Sequence, residues 1–202
     1  MTIRRGEPWG EPAVCPTDLR VVPTDRDLRE WVVWHRTRDQ PIRALGVAGG
    51  DLARTCGGGA TAHPTAAKVT VDAMRVTIDD RDATWGVAHV VARRSWLRGE
   101  LVMAMNAQFL GSYDVAPRSH PNDGKLDFVR VDPMMGPRER LQARQRARTG
   151  THVPHRHIST RSAPSAEFDF AERMVIWIDG VRCGTARHLS VIVEPDAFVA
   201  YV

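Results

Sequence analysis

Two periods of hydrophobic and polar residues divide the chain. In "DRDLREWVVWHRTRD", residues 25–39, Leu28, Trp31, Val32 and Trp34 fall near helical spacing, which predicts a helix that Asp25 could cap. From residue 68 onward the grain is that of strands. "KVTVDAMRVTIDD" sets Val69, Val71, Val76 and Ile78 among polar neighbours, and the "DDRD" step after it suits a turn into "ATWGVAHVVARR". The runs "GELVMAMNAQ", "KLDFVRVD", "SAEFDFAERMVIWID" and "RHLSVIVEPDAFVAYV" continue the β-rich pattern. One segment breaks it: "GPRERLQARQRARTG" is polar, arginine-rich and made of good helix formers between Gly136-Pro137 and Gly150.

Ahead of the β-rich region, residues 1–23 are rich in proline and glycine and end in "LRVVPT", a short strand pattern. The glycine-rich stretch "ALGVAGGDLARTCGGG" occupies residues 44–59, and "ATAHPTA" follows as a joint in which Pro64 stops regular structure. The expected architecture is α+β and mostly β, a small α/β lobe over residues 1–63 and an antiparallel β domain with one inserted basic helix over 64–202.

Composition narrows the class without naming a partner. For 202 residues, a hydrophobic fraction of 43% and a charged fraction of 26% fit one globular domain, or one domain with a small extra lobe. The net charge is +4 and all but two of the 28 basic residues are arginine, which favours contact with phosphates or an acidic surface. Cys15, Cys56 and Cys183 form no CxxC pair, as expected in a reducing compartment. No apolar run reaches the roughly 18 residues of a membrane span, and "MTIRRGEPWGEP" lacks the apolar segment of a secretory signal. A cytoplasmic location, or a peripheral one at a membrane, is expected.

The most specific segment is "MNAQFLGSYDVAPRSHPNDGKLDFVRV", residues 105–131. Asn106, Gly111, Ala116-Pro117, Asp123-Gly124 and Leu126-Asp127 stand in the order of a strand-ending Asn, a glycine turn and an "AP…DDGxLD" segment. In this it resembles the carboxy-terminal domain of the diacylglycerol kinase and sphingosine kinase-like lipid kinases. The basic helix followed by "GTHVPH", and "IWIDG" at 176–180, resemble further family features, so the likeness runs over about residues 44–202. It implies a β-sandwich behind a nucleotide-binding α/β domain, transfer of the γ-phosphate of ATP to a lipid hydroxyl, and Mg²⁺. It also implies a structural Mg²⁺ held by Asp123 with the carbonyls of His120 and Lys125; Asn122-Asp123-Gly124 is equally a strong turn signal.

Departures from the family pattern bear on activity. "GGDLART" aligns with the family's "GTGNDLAR" segment, which gives Gly49, Gly50 and Asp51 as candidate nucleotide contacts, while "GGDGT" is absent. About sixty residues precede the β domain, against well over 100 in a usual doubly wound nucleotide domain. The family's "DGE" glutamate, the proposed base, is replaced by Val181, which accepts no proton. Asp179 is adjacent, but alternation along a strand would point it to the other face. The leading expectation is a family member without independent phosphoryl transfer, acting as a lipid-binding or accessory module for a partner chain or a second copy. The alternatives are a divergent lipid kinase, and an anion- or nucleic-acid-binding protein.

The last alternative rests on Arg140, Arg144 and Arg148, which at i, i+4 spacing would give the basic helix one positive face for phospholipid or nucleic-acid phosphate. That helix has no interleaved aromatics for base stacking, which disfavours nucleic acid. His152, His155, His157 and distant His188 lack the converging ligands of a zinc site. Trp31, Trp34, Trp85 and Trp177 read as core or lobe-packing residues, with Trp96 on an exposed arginine-flanked loop.

Overall fold

A computed structural model describes residues 10–58 and 65–202. Pro64 and the expected 63/64 boundary lie outside these residues. The amino-terminal lobe contains β1 (Glu11–Val14), β2 (Val21–Val22), α1 (Asp25–Arg36), β3 (Leu45–Val47) and the one-turn helix α2 (Asp51–Thr55). The β region follows with β4 (Thr65–Ile78), β5 (Thr84–Gly86), β6 (His89–Arg93), β7 (Leu101–Met105), β8 (Phe109–Leu110), β9 (Tyr113–Asp114) and β10 (Leu126–Val131). Then come α3 (Pro137–Arg146), a 3₁₀ turn (Ala147–Thr149), β11 (Ile158–Ala163), β12 (Ser165–Ile178) and β13 (Val181–Tyr201).

The main sheet runs β1-β4-β13-β12-β6-β7-β10-β11, antiparallel throughout, and β2 and β3 continue from β13 in parallel. Only Pro164 separates β11 at one edge from β12 in the middle, so the sheet folds back over itself. Phe128 of β10 consequently meets Phe168 of β12 at 5.8 Å between ring centroids, although β6 and β7 lie between those strands in the sheet. The bend in β12 coincides with a register shift between Asp169 and Met174, a natural site for a strand to change direction. The expected mostly-β, sandwich-like fold is borne out.

Period-two alternation explains both cores. Val90, Ala92, Val102, Ala104, Leu126 and Phe128 point inward to the sandwich. Their neighbours Val91, Leu101, Met103, Met105, Val129 and Val131 point outward and are covered by Met135 and Ala143 of the α3 segment. Because both faces are covered, "LVMAM" can be apolar at every position and still be a strand. A third cluster joins Leu28 and Val32 of α1 and Leu52 of α2 to Val69, Val71, Phe198 and Ala200, so the amino-terminal lobe shares its core with the sheet.

The cap of α1 differs from expectation: Thr24 Oγ1 accepts the Asp27 N–H at 3.2 Å. Asp25 is turned away from its own helix, toward α2.

Candidate functional site

The site grows from the close approach of two turns. Gly50 has φ +99°, and a Cβ there would fall 2.6 Å from the Asp25 Cγ; a Cβ on Gly49 would fall 2.8 Å from the Pro23 carbonyl oxygen. These glycines let the start of α1 lie against the start of α2. Asp25 then accepts the N–H groups of Asp51 (2.6 Å) and Leu52 (3.2 Å), capping α2 from another helix.

Asp51 turns outward from this cap. Its carboxylate accepts the Gly111 N–H at 2.9 Å, and its Oδ2 stands 3.1 Å from His89 Nε2. Burial opposes the charge on His89, but the hydrogen bond from Asp51 and the charges of Asp179, Asp51 and Asp25 outweigh it and raise its pKa. Burial likewise opposes the charge on Asp51, yet His89 and the Gly111 amide hold its pKa below the ordinary value. Asp25 is pushed up to about 6, chiefly by burial.

Asp179 completes the constellation. It is not within a strand: it begins the β12–β13 turn at φ +48°, and Gly180 follows at +78°. That turn folds its carboxylate back to accept three amides, from Val87 (2.8 Å), Ala88 (2.9 Å) and His89 (3.0 Å). The alternation expected for Asp179 therefore does not apply, and the group orients the segment that carries His89. Val181, expected at the family's glutamate position, opens β13.

A second polar centre lies under the 120–124 turn. The register shift in β13 between Glu194 and Phe198 leaves Asp72 of β4 without a ladder partner. Its N–H goes to the Pro121 carbonyl (2.7 Å), and its carboxylate accepts Gly124 N–H (2.9 Å) and Asp196 N–H (2.8 Å). Burial pushes its pKa up to about 6. Asn106 Nδ2 braces the same region through the Asp72 and Val87 carbonyls.

At the turn itself, Asp123 accepts the Lys125 N–H at 3.0 Å and His120 Nδ1 accepts the Asn122 N–H at 3.2 Å. Asn122 Oδ1 is buried without a hydrogen-bond partner among the described residues. With Asp123 beside it, this all-oxygen set suits a hard cation. The Asp25–Asp51–His89 group, whose ligand atoms lie within 4.8 Å of one another, suits one less well. Its carboxylates already accept backbone amides, and its histidine Nε2 is engaged with Asp51.

The pKa shifts fix a pH response. A carboxyl raised in the native state contributes stability that is complete below its unfolded pKa and lost as pH climbs through its folded pKa. For Asp25 and Asp72 the window runs from about 4 to about 6. The raised His89 adds a loss in the same direction at higher pH. Asp51, lowered, acts oppositely and only at the acid end. His120 and His152, lowered by burial, act oppositely up to neutral pH; the carboxyls are expected to prevail, so that the thermal midpoint falls between mildly acidic and neutral pH, and Asp25→Asn to flatten that slope. A midpoint that rises across the window, measured by circular dichroism, would contradict the assignment.

The α3 arginines do not share one face. Arg140 is buried, and its guanidinium donates to the carbonyls of Met135 (3.0 Å), Asp132 (3.0 Å) and Gly99. Arg144 and Arg148 are exposed, Arg144 donating to the Tyr113 hydroxyl at 2.6 Å. His155 and His157 sit near each other, whereas His188 pairs with Asp169 on β12. Trp34 is 45% exposed, contrary to its reading as core, and Trp96 is exposed as expected.

Between the outward face of β7 and β10 and the α3 segment lies an open cavity of about 370 Å³. Leu101, Met103, Val129, Val131, Met135 and Ala143 form much of its wall, Trp96 and Leu97 also line it, and Gly111 joins it to Asp51.

Comparison with known proteins bears on the family. Residues 59–200 match the family model of the YegS C-terminal NAD kinase β-sandwich-like domain. The chain belongs to this family. The resemblance drawn from residues 105–131 is borne out at that level. No curated protein matches the chain. Two solved structures from Bacillus anthracis str. Sterne are similar to this YegS-type domain, each at 16% identity. One is described as a diacylglycerol kinase (TM-score 0.36, covering 65% of this chain and 43% of that one), the other as a candidate diacylglycerol kinase (0.40, 68% and 40%). The chain thus spans about two fifths of the length of these structures.

Nothing in the order of residues marks His89, or Asp25 as a member of the site. His89 is an isolated histidine inside an apolar strand, and only the approach of α2 to β6 gives it a role.

Proposed function

We propose that this YegS-type chain binds one lipid in the cavity beneath α3 and does not by itself transfer phosphate to it. The observation that carries the reading is the cavity: apolar walls, an open mouth, and a connection at its exposed edge through Gly111 to the Asp51 carboxylate. Its volume falls in the range of ligand sites, and each methylene buried there would contribute about 0.8 kcal/mol. His152 lines the same wall, and its Nδ1 has no partner among the described residues.

Three features speak against independent transfer. Val181 offers no base. Asp179 is committed to three backbone amides. The α2 amides that a phosphate would use are already held by Asp25. Mg²⁺ at the 120–124 turn, held by Asp123 and the His120 and Lys125 carbonyls, would serve to fix that turn.

The test pairs binding with turnover. A soluble short-chain diacylglycerol is expected to raise the thermal midpoint, and Mg²⁺-ATP to leave the lipid unphosphorylated. ATP-dependent phosphorylation that disappears in Asp51→Ala would replace this reading by that of a divergent kinase. Steeply salt-dependent DNA binding with no lipid effect would favour the anion-binding reading.

A further inference from the structure

The cavity under α3 is apolar but not neutral. Among the residues that line it, Arg140 and Arg144 carry a full charge and none is acidic. The acids that adjoin its lining along the chain are engaged elsewhere. Glu100 pairs with Arg130, Glu139 with Arg156, and Asp132 leans toward His157. Asp114, which does not line the cavity, accepts from the Gln108 amide at 2.9 Å.

Arg140 is the more telling of the two. It is 5% exposed, and its guanidinium is held by carbonyls, which are neutral. Its Nη1 is buried with no hydrogen-bond partner among the described residues. A cation withdrawn from water without a counter-charge is costly, and an anion close by in the same low-dielectric space relieves that cost. Arg144 stands at the exposed side of the wall. Its Nε donates to the Tyr113 hydroxyl and its guanidinium lies 5.0 Å from the centroid of that ring, so the charge is held in place.

Size and charge together define the ligand. A volume of about 370 Å³ lies near the lower end of the roughly 300–1,000 Å³ spanned by ligand pockets, which suits one alkyl chain rather than two. A phosphate monoester would bring a charge of about −1.5 to −2 and three acceptor oxygens. That exceeds what Arg144 and the one uncommitted nitrogen of Arg140 supply, whereas a carboxylate brings one charge and two oxygens. We infer that the cavity selects a single-chain lipid acid, its tail against β7 and β10 and its carboxylate at the α3 arginines. This rests on the reading of the cavity as a lipid site and adds to it the class of head group.

The full chain is to be titrated by calorimetry at neutral pH with decanoate, decanol, decyl phosphate, a soluble short-chain diacylglycerol and acetate, the amphiphiles below their micellar concentrations. Decanoate is expected to bind about tenfold or more tightly than decanol, the margin of charge-assisted hydrogen bonds over neutral ones. It should also exceed decyl phosphate and the diacylglycerol, and millimolar acetate should not compete with it. Arg144→Gln, at an exposed position, should bring the decanoate-to-decanol ratio down to about threefold or less. Ala143→Phe, which puts a ring into the buried wall, should lose decanoate and decanol alike. Equal binding of decanoate and decanol, tighter binding of decyl phosphate or the diacylglycerol, competition by acetate, or an unchanged ratio in Arg144→Gln would overturn the inference and leave the cavity reading in place. Failure of every amphiphile to bind, or full binding by Ala143→Phe, would overturn both.

Discussion

Asp179→Ala is expected to lower the thermal midpoint by roughly 10–20 °C. Asp179 is 4% exposed and accepts the amides of Val87, Ala88 and His89, which are themselves buried. Leaving a buried donor unpaired costs about 1–3 kcal/mol, so the three together amount to about 3–9 kcal/mol. For a domain of this size each kcal/mol shifts the midpoint by about 2–4 °C. Asp179→Asn should lose less, because its Oδ1 can still serve two amides and asparagine tolerates the positive φ of the turn. A shift below about 3 °C for the alanine variant, by calorimetry, would mean that the segment before β6 is held by something else. The burial of Asp179 raises its pKa, with His89 and the amides opposing that rise.

Arg140→Met is expected to be nearly as costly, at about 3–5 kcal/mol, and also to abolish lipid capture. A methionine fills the space but leaves the carbonyls of Gly99, Asp132 and Met135 without their donor. Those carbonyls belong to the loop and turn that form one side of the cavity, so their release opens its wall. Arg140→Lys should rescue little, since an ammonium cannot span three acceptors with the fixed fork of a guanidinium. A methionine variant with an unchanged midpoint and unchanged lipid binding would show that α3 is held by its apolar contacts alone.

Arg140 also illustrates how far this chain can be read from residue order. Its spacing with Arg144 and Arg148 suggested a single charged face. The inward face of α3 is instead set by Arg140, Ala143 and Ala147, at i, i+3 and i+7, where two small residues leave room for a long one. The alternation of β4 and β13, the polar run of α3 and the helix from Asp25 to Arg36 were legible because local periodicity produces them. Asp25, His89 and Asp179 were not, since the sheet brings them together from positions 26, 38 and 90 residues apart. The cavity was hidden for another reason: Leu101, Met103, Val129 and Val131 look like ordinary core, and nothing in alternation says that the helix above them leaves a gap.

The glycines of "VAGGDLART" have a role that residue order does not show. Expected as candidate nucleotide contacts, Gly49 and Gly50 are also required by the packing of the Pro23 carbonyl and the Asp25 carboxylate against the turn. Asp51 beside them is hydrogen-bonded to Gly111 at the exposed edge of the cavity.

The most direct test is native mass spectrometry of the full chain with a soluble short-chain diacylglycerol in the presence of Mg²⁺-ATP. The account expects one lipid bound per chain at its unaltered mass, and no bound lipid in Ala143→Phe. Absence of the adduct in the unaltered chain, or an adduct heavier by one phosphate, would contradict it.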